Sequence, residues 1–174
     1  MINKSNQNHR SHNTVTYSVK TYLIKTEQAI PISLEKAWDF FSSPLNLAKI
    51  TPNDMKFVVT SDYTTDAKIY AGMIITYKIS PLFGIKTNWM TEITHVKEGE
   101  YFVDEERFGP FALWHHEHHF KTIKGGILMN DILHYAIPFG PIGRLANAAY
   151  VSKQIEKIFT YREKAIKELF GEVN

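Results

Sequence analysis

Two histidines, His116 and His118, stand two residues apart in a run whose same-parity neighbours are aromatic: Trp114, His116, His118, Phe120. In an extended strand alternate side chains share a face. The opposite parity carries Leu113, His115, Glu117, His119 and Lys121 and is mostly polar. The first set therefore reads as the buried face, and it places two imidazoles in apolar surroundings. Buried polar groups need partners or a purpose. Imidazole titrates near neutrality, moves protons and ligates metals through either ring nitrogen. Three chemistries follow: a metal site, acid–base catalysis, or the polar end of a ligand pocket.

The partners are expected on the flanking strands. Glu100 to Phe108 alternates as Phe102, Asp104, Glu106, Phe108 against Tyr101, Val103, Glu105, Arg107, and Gly109-Pro110 is a turn signal. Pairing Phe108 with Trp114 would set Glu106 against His116, Asp104 against His118 and Phe102 against Phe120. Every acid then meets a histidine, and a slip of one residue would turn one whole set to the wrong face. The next strand, Ile127 to Ala136, adds Met129, Asp131, Leu133 and Tyr135 on one face, so Asp131 joins the same cluster.

A His-x-His pair on a strand can present two nitrogens to a metal, with Glu106, Asp104 or Asp131 as carboxylate donor. No third ligand is fixed by spacing, and the reading assigns no metal and no cofactor. Acid–base work by His116, His118 and Glu106 would suit dehydration or aldol-type cyclisation of a carbonyl substrate, but no nucleophile or oxyanion device accompanies them. The aromatics Trp38, Phe40, Phe41, Trp89 and Trp114 read as core, with Trp114 lying beside the histidines. His115, His119 and His134 fall on the solvated parity.

The elements that must hold this cluster follow from periodicity. Tyr17 to Ile30 reads as a long first strand. Ser33 is an N-cap for a short helix, Leu34 to Phe41, which Pro44 breaks, and Leu45 to Ile50 makes a second. Strands are expected over Lys56–Ser61, Met73–Ser80, Ile85–Lys97, Glu100–Phe108, Leu113–Ile123 and Ile127–Ala136. The tight turns between the later ones imply antiparallel neighbours. A long helix from Gly143 or Arg144 to Phe170 closes the chain. Its stripe is Leu145, Ala148, Val151, Ile155, Ile158, Phe159, Ala165, Ile166 and Leu169. A curved sheet covered by one helix leaves a cavity between them, and cavities take ligands.

The 174 residues suit one domain over 17–174, with a polar, flexible tail over 1–16. Twenty basic against 18 acidic residues give a net charge of +2, too balanced for a nucleic-acid binder. There is no cysteine, which excludes disulfides and thiolate chemistry and fits the cytoplasm. No apolar run reaches transmembrane length and the start has no signal-peptide core, so stable membrane insertion is not expected. Composition says nothing of oligomeric state.

Several segments together resemble the helix-grip fold of the START and birch-pollen-allergen superfamily. They are Ile30-Pro-Ile-Ser-Leu-Glu-Lys-Ala-Trp-Asp-Phe-Phe41, Pro44-Leu-Asn-Leu-Ala48, Phe102 to Glu105, Gly109 to Phe120, Asp131, and Tyr135-Ala-Ile-Pro-Phe-Gly-Pro-Ile-Gly143. The nearer resemblance is to bacterial SRPBCC proteins of the polyketide cyclase/dehydrase-like branch, over about Tyr17 to Phe170. It implies an α+β helix-grip fold: a curved antiparallel sheet wrapped on a long C-terminal helix, with two short helices after the first strand. It also implies a cavity for a small hydrophobic or amphipathic molecule. The expected lining is Trp89, Phe102, Asp104, Glu106, Trp114, His116, His118, Asp131 and Tyr135. The alternative is a cofactor-independent cyclase or dehydratase that uses the histidine–acid cluster.

Overall fold

The computed structural model describes residues 20–64 and 66–173. The tail over 1–16 and the expected strand start at 17–19 lie outside them. Seven antiparallel strands form one sheet in the order β1-β7-β6-β5-β4-β3-β2. They are β1 (Tyr22–Ile30), β2 (Val58–Val59), β3 (Met73–Ile79), β4 (Thr87–Lys97), β5 (Tyr101–Phe108), β6 (Leu113–Ile123) and β7 (Gly126–Ala136). First and last strands are neighbours, with Tyr22 opposite Tyr135 and Ile30 opposite Ile127. Register shifts in the β4–β5 ladder, at Met90/Thr91 and Ile93/His95, bend the sheet as bulges do.

Between β1 and β2 run α1 (Leu34–Phe41) and a 3₁₀ segment (Pro44–Ile50), as the two-short-helix reading expects. The Ser33 hydroxyl accepts a hydrogen bond from the Lys36 backbone N–H at 3.3 Å and so caps α1. Trp38 then fixes α1 to the sheet, meeting Phe102 and Phe120 edge-on with centroids 6.1 and 5.8 Å away. Burial of an aromatic of this size is worth about 1.5–3 kcal/mol.

The C-terminal helix differs from the sequence expectation in one respect. α2 (Gly140–Ala146), a π-helical turn (Asn147–Val151) and α3 (Ser152–Phe170) run end to end. A π turn inserts one extra residue and rotates everything before it by about 100° relative to a regular helix. The inward residues are therefore Gly143, Asn147, Val151, Ile155 and Phe159, not Leu145 and Ala148. Leu145 is 72% exposed, whereas the polar Asn147 is 3% exposed. At Gly143 a Cβ would lie 1.9 Å from the Pro138 carbonyl oxygen, so only glycine allows this approach. From Val151 onward the predicted stripe holds: Val151, Ile155, Phe159, Ala165 and Ile166 are buried, while Leu169 is exposed.

Candidate functional site

A cavity of about 150 Å³ lies between the curved sheet and α3. Phe41, Phe57, Trp89, Phe111, Trp114 and Ile155 form much of its apolar wall. One patch of the wall is ionisable: Asp104 from β5, His116 and His118 from β6, and Arg162 from α3.

The cluster is a product of register. β5 and β6 pair Asp104 with His116 and Phe102 with His118, and β6 and β7 pair His118 with Asp131. The sequence expectation sets Asp104 against His118, so the hairpin is slipped by two residues. A slip of two preserves the faces, and every inward residue stays inward. Its cause is visible at the mouth of the hairpin. The β5–β6 ladder ends at Glu105–His115, and Glu106 turns back across Gly109 so that its Oε1 accepts from the Phe111 N–H at 2.9 Å. A Cβ on Gly109 would fall 2.5 Å from the Glu106 carboxyl carbon. The longer, self-capped loop replaces the tighter turn read from Gly109-Pro110.

The two imidazoles and two carboxylates interlock. His118 Nε2 lies 2.8 Å from Asp104 Oδ2 and its Nδ1 lies 2.7 Å from Asp131 Oδ1. His116 Nε2 is 3.2 Å from the same Asp131 oxygen, and its Nδ1 is 3.6 Å from Asp104 Oδ2. The imidazole centroids are 3.9 Å apart, and His116 is 3% exposed. Only the His118–Asp104 contact also has the direction of a hydrogen bond; the contacts to Asp131 Oδ1 are close but misaligned.

Electrostatics divide the roles. Burial opposes charge on His118, but the two carboxylates overcome it and raise its pKa, which favours the imidazolium between two anions. Burial and the adjacent His118 charge push His116 down and keep it neutral. Burial would raise both acids, yet the histidine contacts hold Asp104 and Asp131 below the ordinary carboxyl range. Glu106 stands apart: burial raises it to about 7, against the pull of the Phe111 N–H.

Of the expected lining, Trp89, Phe102, Asp104, Trp114, His116 and His118 are in the cavity wall. Glu106, Asp131 and Tyr135 are not. Glu106 is spent on its own turn. Asp131 contacts both imidazoles but lies outside the wall. Tyr135 stacks on Tyr22 at 5.2 Å in a second core cluster with Leu133, Val151, Ile155 and Phe159. The outward histidines are paired as well as solvated: His115 Nδ1 lies 2.8 Å from Glu105, and His119 Nε2 2.9 Å from Glu117.

Sequence reasoning misses Arg162. Its signal is nevertheless in the sequence, because it occupies the gap in the apolar stripe between Phe159 and Ala165. A charged residue at a stripe position is turned inward with its neighbours. Its guanidinium lies over the Phe159 ring, 5.4 Å from the centroid.

The arrangement favours some chemistries over others. Asp104, His116 and His118 bring one ligand atom each within 4.8 Å of one another, a spacing a metal could use. Both His118 nitrogens already face carboxylates, so ligation would cost the His118–Asp104 hydrogen bond. Its raised pKa favours the protonated imidazole, which has no lone pair to act as a general base on a substrate. What remains is a polar, charge-balanced patch in an otherwise apolar wall.

No family model matches the chain, and no curated protein matches its sequence. Solved structures do match. Protein CV1439 from Chromobacterium violaceum is 17% identical, with a TM-score of 0.63 over 86% of this chain and 97% of that one. TTHA0849 from Thermus thermophilus is 16% identical, with a TM-score of 0.62 over 84% and 95%. Ara h 8.0201 is 11% identical, with a TM-score of 0.58 over 86% and 97%. Identities this low speak for the fold alone. With a seven-stranded antiparallel sheet curved against a long C-terminal helix, and short helices after the first strand, the chain has the helix-grip α+β fold.

Proposed function

We propose that the protein binds one small, largely apolar or amphipathic molecule in the cavity between sheet and C-terminal helix. The observation that carries this reading is the cavity itself. Protein interiors are packed with few voids larger than a water. A ligand that fills a space of about 150 Å³ gains the contacts its apolar walls now lack. The size suits a single six-membered ring with a short substituent, since a void of about 150 Å³ accepts benzene. The wall suits an amphipathic guest, apolar around the ring and polar at the Asp104–His116–His118 patch.

Catalysis has less support, because His118, the histidine best held in place, lies between two carboxylates that favour its protonated form. The reading places the protein in the cytoplasm, in keeping with a sequence free of cysteine. It is also in keeping with the lack, among the described residues, of any helix long and apolar enough to cross a membrane. The test is uptake of a neutral single-ring probe, read at the two tryptophans of the cavity wall. Saturable perturbation of Trp89 and Trp114 is expected; indifference of both to a panel of such probes would remove the reading.

A further inference from the structure

The ionisable patch does not use all of its charge. Arg162 lines the cavity, and its Nε is buried with no hydrogen-bond partner. Among the described residues it makes no ion pair, although its charge reaches Asp104 and Tyr77 across the same space. Asp104 cannot serve it well, because Asp104 Oδ2 is already taken by His118 at 2.8 Å and approached by His116 at 3.6 Å. Leaving a buried donor of a charged group unmade costs more than leaving a neutral one. Phe159 lies under the guanidinium, its ring centroid 5.4 Å away, and restricts the fork before any partner arrives.

Three constraints define what would complete this group. The guanidinium presents a planar fork of donors, and its geometric complement is a carboxylate, bound by two parallel N–H···O bonds. The space beside it is about 150 Å³ with mainly apolar walls, which admits about one ring. Asp104 faces the same space and would repel a second negative charge, so a dianion such as a phosphate monoester is disfavoured. We propose that Arg162 anchors the carboxylate of a single-ring monocarboxylic acid whose ring lies against Trp89, Phe111 and Trp114. This rests on the reading of the cavity as a ligand site and adds the class of ligand.

Isothermal titration of the full chain at neutral pH separates the two ideas. The probes are benzoate, its neutral isostere benzamide, and benzyl alcohol, against wild type, Arg162→Gln and Arg162→Lys. The expected result is that wild type binds benzoate about tenfold or more tighter than benzamide, as loss of a charge-assisted pair implies. Arg162→Gln should lose that preference while keeping its affinity for benzyl alcohol, and Arg162→Lys should keep part of it. Equal binding of benzoate and benzamide by wild type would overturn the anchor and leave the cavity reading standing. So would a benzoate preference that survives in Arg162→Gln. Failure of all three probes to bind wild type would overturn both. If Arg162→Gln does not fold, Arg162→Lys carries the same comparison, and equal binding of benzoate and benzamide by wild type overturns the anchor without any variant.

Discussion

Asp131→Asn is the most informative single perturbation of the buried cluster. Asp131 Oδ1 lies 2.7 Å from His118 Nδ1 and 3.2 Å from His116 Nε2, and its side chain is 9% exposed. The amide keeps the shape and removes the charge. His118 is then left as a buried imidazolium with one anion instead of two, and it must deprotonate or remain under-compensated. Breaking a buried pair in this way costs about 3–5 kcal/mol. In a domain of this size each kcal/mol moves the melting temperature by about 2–4 °C, so the expected drop is about 6–20 °C. The assay is thermal and urea unfolding of wild type and variant at neutral pH. The sign of the pH dependence follows from the depressed Asp131 pKa. Its stabilisation is present above the ordinary carboxyl value of 3.8 and is lost as pH falls below it, so the gap between wild type and variant should narrow in acid. A drop in Tm of less than about 2 °C for Asp131→Asn would refute the claim that the buried charges linking β5, β6 and β7 stabilise the fold.

Two further outcomes are expected. Glu106 has its pKa raised to about 7, so its neutral form is favoured in the fold; the stabilisation is complete below the ordinary 4.5 and is lost as pH rises through about 7. Melting temperatures at pH 5 and pH 8.5 should therefore show wild type losing ground to Glu106→Gln at the higher pH, and a difference that does not change with pH would contradict this. Elemental analysis of protein purified without chelator should find no stoichiometric metal. About one zinc, iron or manganese per chain, lost in His116→Ala and His118→Ala, would instead make Asp104, His116 and His118 a metal centre.

The alternation of Trp114, His116, His118 and Phe120 is enough to assign the buried face of β6, and with it both histidines of the site, because a strand has only two faces. The partners across the ladder are not legible in the same way. Glu106 and Asp104 have the same parity, so patterning cannot distinguish a hairpin from the same hairpin slipped by two. That choice is made by Glu106 capping Phe111 over Gly109, a contact between a side chain and a turn that composition does not announce. The C-terminal helix is legible from Val151 to Ile166, where 3.6-residue spacing holds. Before that the spacing misleads, because a π turn at Asn147–Val151 resets the phase and buries Asn147 in place of Ala148. Arg162 lies in plain view as the charged residue in an apolar stripe; hydrophobic counting alone passes over it. The cavity volume has no sequence signal, since it depends on how far the bulged β4–β5 ladder bends the sheet from α3.

The central claim is that the space between sheet and helix takes a single-ring guest, and the tryptophans allow it to be tested at three points in one spectrum. The chain has three, of which Trp89 and Trp114 line the cavity while Trp38 packs under α1 outside it. Their indole N–H resonances in a ¹⁵N-labelled sample, followed during titration with benzyl alcohol, report the site and an internal control together. The account predicts saturable shifts at Trp89 and Trp114 that share one binding constant, with Trp38 little moved. Three resonances that stay fixed, or that drift together in proportion to added alcohol without saturating, would contradict it.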